Sequence, residues 1–223
     1  MKSKKNNVFQ LELKWHPVAA SVLLALPFVA HTAEISMKNG IVSSAGNVPV
    51  ININKANDKG LSHNVYDKLN VDKNGLIFNN SAAGSNTVLA GQIQGNSNLT
   101  SGSAKVILNE VTSKNASAIN GMMEVAGDKA DLIIANPNGI TVNGGGSINT
   151  SKLTLTTGTP DIQNDQLAGY SVNGGTITLG KLNNASPTEI LSRNVVVTDK
   201  VTANELNVVA GNNYVNAAGQ VSG

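Results

Sequence analysis

The stretch from Asp131 to Thr150, DLIIANPNGITVNGGGSINT, starts and stops three times within a few turns of chain. Leu132-Ile133-Ile134 reads as a short buried strand. Asn136-Pro137-Asn138-Gly139 breaks it with residues that favour tight turns. Ile140-Thr141-Val142 begins a second strand, three glycines interrupt it, and Ser147-Ile148-Asn149 begins a third. Strand, corner, strand, corner at this spacing is the pattern of a β-solenoid, in which the chain turns sharply several times per rung. A β-sandwich would show longer strands, with turn signals every 8–12 residues or so.

The same grammar runs outward from this stretch. YSVNGGTITLGKL, SRNVVVTDKVTANELNVVAGNN and NAAGQVSG continue it, and NGGGSI (143–148) and NGGTIT (173–178) are near-copies. KLTLTTG (152–158) resembles ELNVVAG (205–211) in the same way. The chain has 223 residues, with 32 Asn and 22 Gly, so corner-forming residues are abundant throughout. Both tolerate left-handed backbone, which predicts that asparagine and glycine share the positive-φ corner positions. Aromatic residues make up only 3% of the chain, so Val, Ile, Leu and Ala must fill the core. Alternation within the short strands nominates Ile133, Ile140, Val142, Leu153, Leu155, Ile177, Leu179, Val196 and Val208 as core residues. Residues from about 80 onward form the β-helix in this reading, and the less repetitive region 34–80 caps its first edge.

The N-terminus obeys a different logic. Lys2, Lys4, Lys5 and Lys14 precede an apolar stretch, Val18 to Ala30, which ends near small residues in VAHTAEI. These are the parts of a secretory signal peptide, here residues 1–33, with cleavage after Ala33 or Thr32. The apolar stretch is too short for a spanning helix. Removing residues 1–33 leaves twelve basic and thirteen acidic residues, so the remaining domain, 34–223, is near neutral. Only Arg193 represents arginine, and no basic face for nucleic acid is expected. There is no cysteine, which suits a chain that must stay unlinked while crossing more than one barrier. The pattern runs on to NAAGQVSG with no closing cap, as in the N-terminal part of a longer protein or a truncated reading frame.

GLSHNVYDKLNVDKNGLIFNNS (60–81), VILNEVTS (106–113) and MEVAGDKADLIIANPNGITVNGGGSINTSKLTLTTG (123–158) occur in this order behind the signal. Together they resemble the N-terminal secretion domain of two-partner secretion exoproteins: filamentous haemagglutinins, large haemolysins and contact-dependent growth-inhibition proteins. The resemblance spans nearly all of the chain after the signal. It implies an all-β fold, a short right-handed parallel β-helix with an N-terminal cap and extra-helical strands. It also implies two family motifs. An Asn-Pro-Asn-Gly-Ile motif falls on Asn136, Pro137, Asn138, Gly139 and Ile140. An Asn-Pro-Asn-Leu motif falls on Asn96, Ser97, Asn98 and Leu99, with serine in place of proline as in haemolysin-like members. Some members carry two cysteines after the second motif, where this chain reads VNGGGS.

The implied partners are an outer-membrane β-barrel transporter with periplasmic recognition domains and, through the signal, the general export machinery. A longer chain could also engage a host or neighbouring cell through its C-terminal part. The implied location is the exterior or surface of a Gram-negative cell, reached through the periplasm. Turn chemistry by itself explains each residue of Asn136–Ile140, so a structural role is the first reading there. The polar, glycine-flanked loop Gly95–Gly102 should be exposed, which makes Asn96–Leu99 the transporter-recognition segment. No catalytic, cofactor or metal site is expected. His63 is the one histidine left after the signal, which cannot by itself build a triad or zinc site. Three glycines at 144–146 lack the lysine of a phosphate loop. A polysaccharide-cleaving β-helix enzyme would need clustered carboxylates. The alternative function is a carbohydrate-binding haemagglutination domain, though only Phe78, Tyr66, Tyr170 and Tyr214 remain to stack on sugars.

Overall fold

The computed structural model describes residues 34–223, so the expected signal peptide lies outside the described residues. The described chain is built from strands and turns, and no helix occurs in it. It opens with two short cap strands, β1 (Ile35–Met37) and β2 (Val42–Ala45). It then winds into rungs. The first holds β3 (Val48–Asn52) and β4 (Leu61–Leu69). The second holds β5 (Leu76–Asn80), an outlying hairpin β6 (Ser85–Thr87) and β7 (Gly91–Ile93), then β8 (Val106–Val111) and β9 (Ser117–Ile119). The third holds β10 (Met122–Gly127), β11 (Ala130–Ala135) and β12 (Ile140–Val142). The fourth holds β13 (Gly146–Ile148), β14 (Thr150–Thr156), a second outlying hairpin β15 (Thr159–Gln163) and β16 (Gln166–Val172), then β17 (Thr176–Leu179). Next come β18 (Leu182–Asn184), β19 (Thr188–Ser192) and β20 (Asn194–Val197), then β21 (Val201–Ala203) and β22 (Leu206–Ala210). The described chain closes with β23 (Asn213–Asn216) and β24 (Val221–Ser222).

Three parallel faces result, and each rung visits them in the same order. One face stacks β4, β8, β11, β14, β19 and β22 in parallel. A second stacks β3, β5, β10 and β13, then passes through the Gly145–Leu182 bridge to β18 and β21. The third stacks β9, β12, β17 and β20. This is a parallel β-helix, and its shape explains the short strands: each need only cross one face, about 4.8 Å from the rung below. The cap is smaller than the sequence suggests. Antiparallel pairing of β1 to β4 and of β2 to β3 closes the first edge. The helix proper already begins at Val48, not near residue 80. The polar look of residues 55–74 hid a nine-residue strand, because β4 points Ser62, Asn64 and Tyr66 inward.

Ile140, Val142, Leu153, Leu155, Ile177 and Leu179 pack together in the interior, as alternation predicts. Three of the predicted core residues differ. Ile133 is buried, but on the outer side of its sheet, because Leu132 and Ile134 take the inner positions. Val196 is 46% exposed: it pairs with Thr178, between Val195 and Val197, which pair with the inward Ile177 and Leu179, and β20 is the last strand of its face, where Val197 is exposed as well. Val208 aligns with inward Ile190 but lies on the last strand of its face, and it is 44% exposed.

Two outer patches are covered by the excursions. The hairpin β6–β7 lies over the second face, where Ile93 packs with Val48, Val50, Ile77 and Ala126. The Glu124 carboxylate pins it by accepting the backbone N–H groups of Val88 and Leu89 at 2.9 Å each. Between its strands the hairpin turns back at Val88–Ala90. The second excursion is larger. β15, β16, β23 and β24 form an antiparallel sheet. Tyr170, Val172 and Val215 press from it onto Leu61, Leu108, Ile133, Ala135 and Leu191 of the first face. It forms a strap along the stack, and its tip is tied down where the Asn57 side-chain amide donates to the Asp165 carbonyl at 2.8 Å.

Glycine and asparagine divide the corner work differently from expectation. Twelve glycines have positive φ, but among the described asparagines only Asn149 and Asn164 do. Asparagine mostly acts through its side chain, which bonds backbone groups that the corner leaves open.

Candidate functional site

The two motif segments occupy different edges of the helix and build the same corner. At the first, the Asn96 carbonyl accepts the N–H of Leu99 at 3.2 Å, and Asn96 Oδ1 accepts the N–H of Asn98 at 3.0 Å. At the second, the Asn136 carbonyl accepts the N–H of Gly139 at 3.2 Å, and Asn136 Oδ1 accepts the N–H of Asn138 at 3.0 Å. Each is an asparagine-capped turn closed by backbone and side chain together.

The remaining amide of each leading asparagine reaches backwards along the chain. Asn96 Nδ2 donates to the carbonyls of Ile53 and Asn79, both at 2.9 Å. Asn136 Nδ2 donates to the Asn115 carbonyl and to Ser117 Oγ, both at 2.9 Å. Ile53 lies at the same edge of the preceding rung as Asn96, and Asn115 at the same edge of the preceding rung as Asn136. The second asparagine of each motif repeats the gesture. Asn98 Nδ2 donates to Asn52 and Ile53 carbonyls at 3.2 and 3.3 Å. Asn138 Nδ2 donates to the Ser113 carbonyl at 2.7 Å, with a longer 3.4 Å contact to Asn115. The motif is therefore an inter-rung clamp, used twice.

Five residues of Gly95–Gly102 are exposed, as expected of that loop, but the side chains that anchor the corners are not. Asn96 is 1% exposed and Asn136 is 0% exposed, and Leu99 is buried in the interior. Ser97, Asn98, Pro137 and Asn138 are the exposed members. The burial of Asn96 is tolerated because all four of its polar atoms are bonded: its carbonyl, Oδ1 and Nδ2 in the clamp, and its N–H to the Ser81 carbonyl at 2.7 Å. Gly139 has φ 114°, and a Cβ there would sit 3.2 Å from the Thr176 carbonyl oxygen. Ile140 is interior. His63 Nε2 lies 2.7 Å from Glu110 Oε2, a pairing the sequence alone did not reveal.

A separate cleft of about 350 Å³ opens between the strap and the first face, lined by Leu61, Val106, Ile133, Tyr170, Lys152 and Glu189 among others. Asp131 also lines it; desolvation holds its carboxyl above the usual range, opposed by the nearby Lys152 ammonium. Burial, and then the charge of Glu189, push the Tyr170 phenol upward. Tyr66, Phe78 and Tyr170 are all buried, so none offers a face on which a sugar could stack.

Comparison with known proteins fits this architecture. A family model, the TPS secretion domain, matches residues 29–222. The chain belongs to that family. The TPS domain is 40% identical over 218 residues to the toxin CdiA of Yersinia pestis, covering 92% of this chain and 7% of that protein. It is 38% identical over 238 residues to a hemolysin of Serratia marcescens, covering 97% of this chain and 15% of that protein. Each of these relatives is far longer than the TPS domain it matches. Among solved structures, the filamentous hemagglutinin secretion domain superposes with a TM-score of 0.77 at 36% identity, over 84% of this chain and 67% of that one. The TPS domain is thus the secretion module of large exoproteins such as toxins, hemolysins and filamentous hemagglutinin.

Proposed function

We propose that residues 34–223 are recognised by an outer-membrane β-barrel transporter through its periplasmic domains and fold into the β-helix outside the cell. Residues 1–33 act first as a signal peptide for the general export machinery. The domain is non-catalytic and serves a secreted or surface-bound exoprotein, whose adhesive, lytic or toxic activity belongs to other parts of that protein. The observation that carries this reading is the direction of the clamps. Asn96 closes on Ile53 and Asn79, and Asn136 closes on Asn115 and Ser117, all earlier in the chain. A chain emerging from its N-terminal side can therefore complete each corner on a rung that already exists. Stepwise folding outside holds the chain there without a nucleotide-driven motor.

Transporter recognition engages the chain before it folds, so both motifs are readable in transit even though their leading asparagines end up buried. Asn96, Ser97, Asn98 and Leu99 carry recognition in this proposal, with Asn136–Ile140 acting mainly through folding. The test is co-expression with the transporter, scoring the ratio of protein in medium to protein in periplasm alongside thermal unfolding of the purified domain. Asn98→Ala should lower secretion while its melting temperature falls by about half as much as that of Asn136→Ala, whose secretion should fall only in proportion to its lost stability. Normal secretion of Asn98→Ala would remove the recognition role from the first motif. Secretion that persists when the transporter's periplasmic domains are deleted would remove the partner itself.

A further inference from the structure

Six asparagines in the chain are succeeded by glycine: Asn39, Asn74, Asn120, Asn138, Asn143 and Asn173. An Asn-Gly step is chemically fragile. The glycine nitrogen, after losing its proton to solvent base, attacks the asparagine Cγ. The new N–Cγ bond closes a five-membered succinimide, and the Cγ–Nδ2 bond breaks to release ammonia. Water then opens the ring at either carbonyl, leaving aspartate or isoaspartate. The step needs a glycine nitrogen free to swing and an asparagine side chain free to meet it.

The fold removes that freedom at five of the six sites. The Asn39 side chain is fixed at both ends, donating to the His63 carbonyl and accepting the Val65 N–H. The nitrogens of Gly75 and Gly144 donate to Asp72 and Lys181 carbonyls at 3.0 and 2.6 Å. Gly121 is buried, its backbone wedged so tightly that a Cβ would stand 2.1 Å from the Asp72 carbonyl oxygen. At Asn138 both partners are held: Gly139 N–H donates to Asn136, and Nδ2 donates to Ser113 and Asn136 Oδ1. Asn173 differs. It is exposed, Gly174 has open space around its α-carbon, and the side-chain contact is one exposed 3.2 Å bond to Ser171 Oγ.

We propose that Asn173 is a spontaneous modification site of the folded domain, whereas Asn138 is vulnerable only until its corner closes. The two sites also differ in consequence. Loss of the amide at Asn138 replaces a donor with a carboxylate facing the Ser113 carbonyl, and the isoaspartate product also adds a carbon to the backbone of the tight turn, so a chain damaged there rebuilds the corner less well than one that merely lacks the side chain. Residue 173 makes no such contact and tolerates the change. The clamp sequence thus sets a time limit on the unfolded state, and folding lifts it.

The test ages the whole domain in mildly alkaline buffer, once folded and once in urea, and tracks each site by peptide mass spectrometry. Asn173 should convert within about threefold of its urea rate when folded, while Asn138 should slow by about a hundredfold or more, because its reaction requires local opening. Urea-aged protein is then refolded, and the native fraction is separated from the aggregate. Modification at residue 138 should be depleted from the native fraction, and modification at residue 173 should not. Asn173→Gln should abolish most of the mass gain of the folded protein. Equal conversion of Asn138 and Asn173 in the folded domain would overturn the proposal. So would a native fraction carrying modified residue 138 at the level of the aged pool.

Discussion

The corners at residues 96–99 and 136–140 share a hydrogen-bond diagram but not a sequence. Asn-x-Asn is common to both; the second position is Ser97 in one and Pro137 in the other, and the fourth is Leu99 or Gly139. The shared asparagines make the clamp, and the variable positions suit the path the chain takes on leaving the corner. After Asn98 the chain stays on its outlying course toward β8, and the fourth residue drops a large side chain into the interior. After Asn138 the chain must enter β12 at once, and the fourth residue is a glycine in left-handed backbone so that Ile140 can point inward. A motif defined by its spelling would separate these corners. Defined by its bonds, it is one device adapted to two exits.

Four experiments would break or sharpen that equivalence. The largest losses should come from the fourth positions. Leu99→Ala should cost about 3 kcal/mol by emptying interior volume, and Gly139→Val about 2 kcal/mol or more by forcing a branched residue into left-handed backbone. Urea denaturation measures both; a silent Gly139→Val would mean the corner relaxes freely. Next come the leading asparagines. Asn96→Ala and Asn136→Ala should each cost about 2 kcal/mol, because each strands buried backbone groups. A difference of more than about twofold between them would show that the clamps are not equivalent. The second asparagines are exposed, so Asn98→Ala and Asn138→Ala should cost only about 1 kcal/mol, with Asn138 the greater because its 2.7 Å bond is shorter. Smallest is a gain. Ser97→Pro copies the other corner and should stabilise by about 0.5 kcal/mol through the unfolded state. A clear loss of melting temperature there would show that the backbones differ at that position.

The solenoid was legible because its corners are spelled in asparagine, glycine and proline and its strands in β-branched residues. Parity was harder to read. Leu132-Ile133-Ile134 is apolar throughout because both sides of that strand are covered, one by the interior and one by the strap, so periodicity could not say which side Ile133 takes. The near-copies at 143–148 and 173–178 mislead for a related reason, since β13 and β17 lie on different faces. By contrast, KLTLTTG and ELNVVAG hold β14 and β22 on one face. Asn96 was unreadable because a polar name suggests exposure, and the groups that satisfy it come from Ile53 and Asn79, distant in sequence.

The strap changes what kind of object the stack is. A bare solenoid behaves as a line of neighbours: each rung feels the one before and the one after, and the line can fray from an end without consulting the middle. Here Tyr170, Val172 and Val215 touch side chains from β4 through β19 at once, and Asn57 holds Asp165 across 108 positions of sequence. Such contacts couple rungs that share no border. They also close late, since β16 must wait for β23 to emerge before the sheet is complete, a long-range pairing that is slow to form. The early rungs can therefore grow by local steps, yet once the strap is seated they should melt together as a single transition.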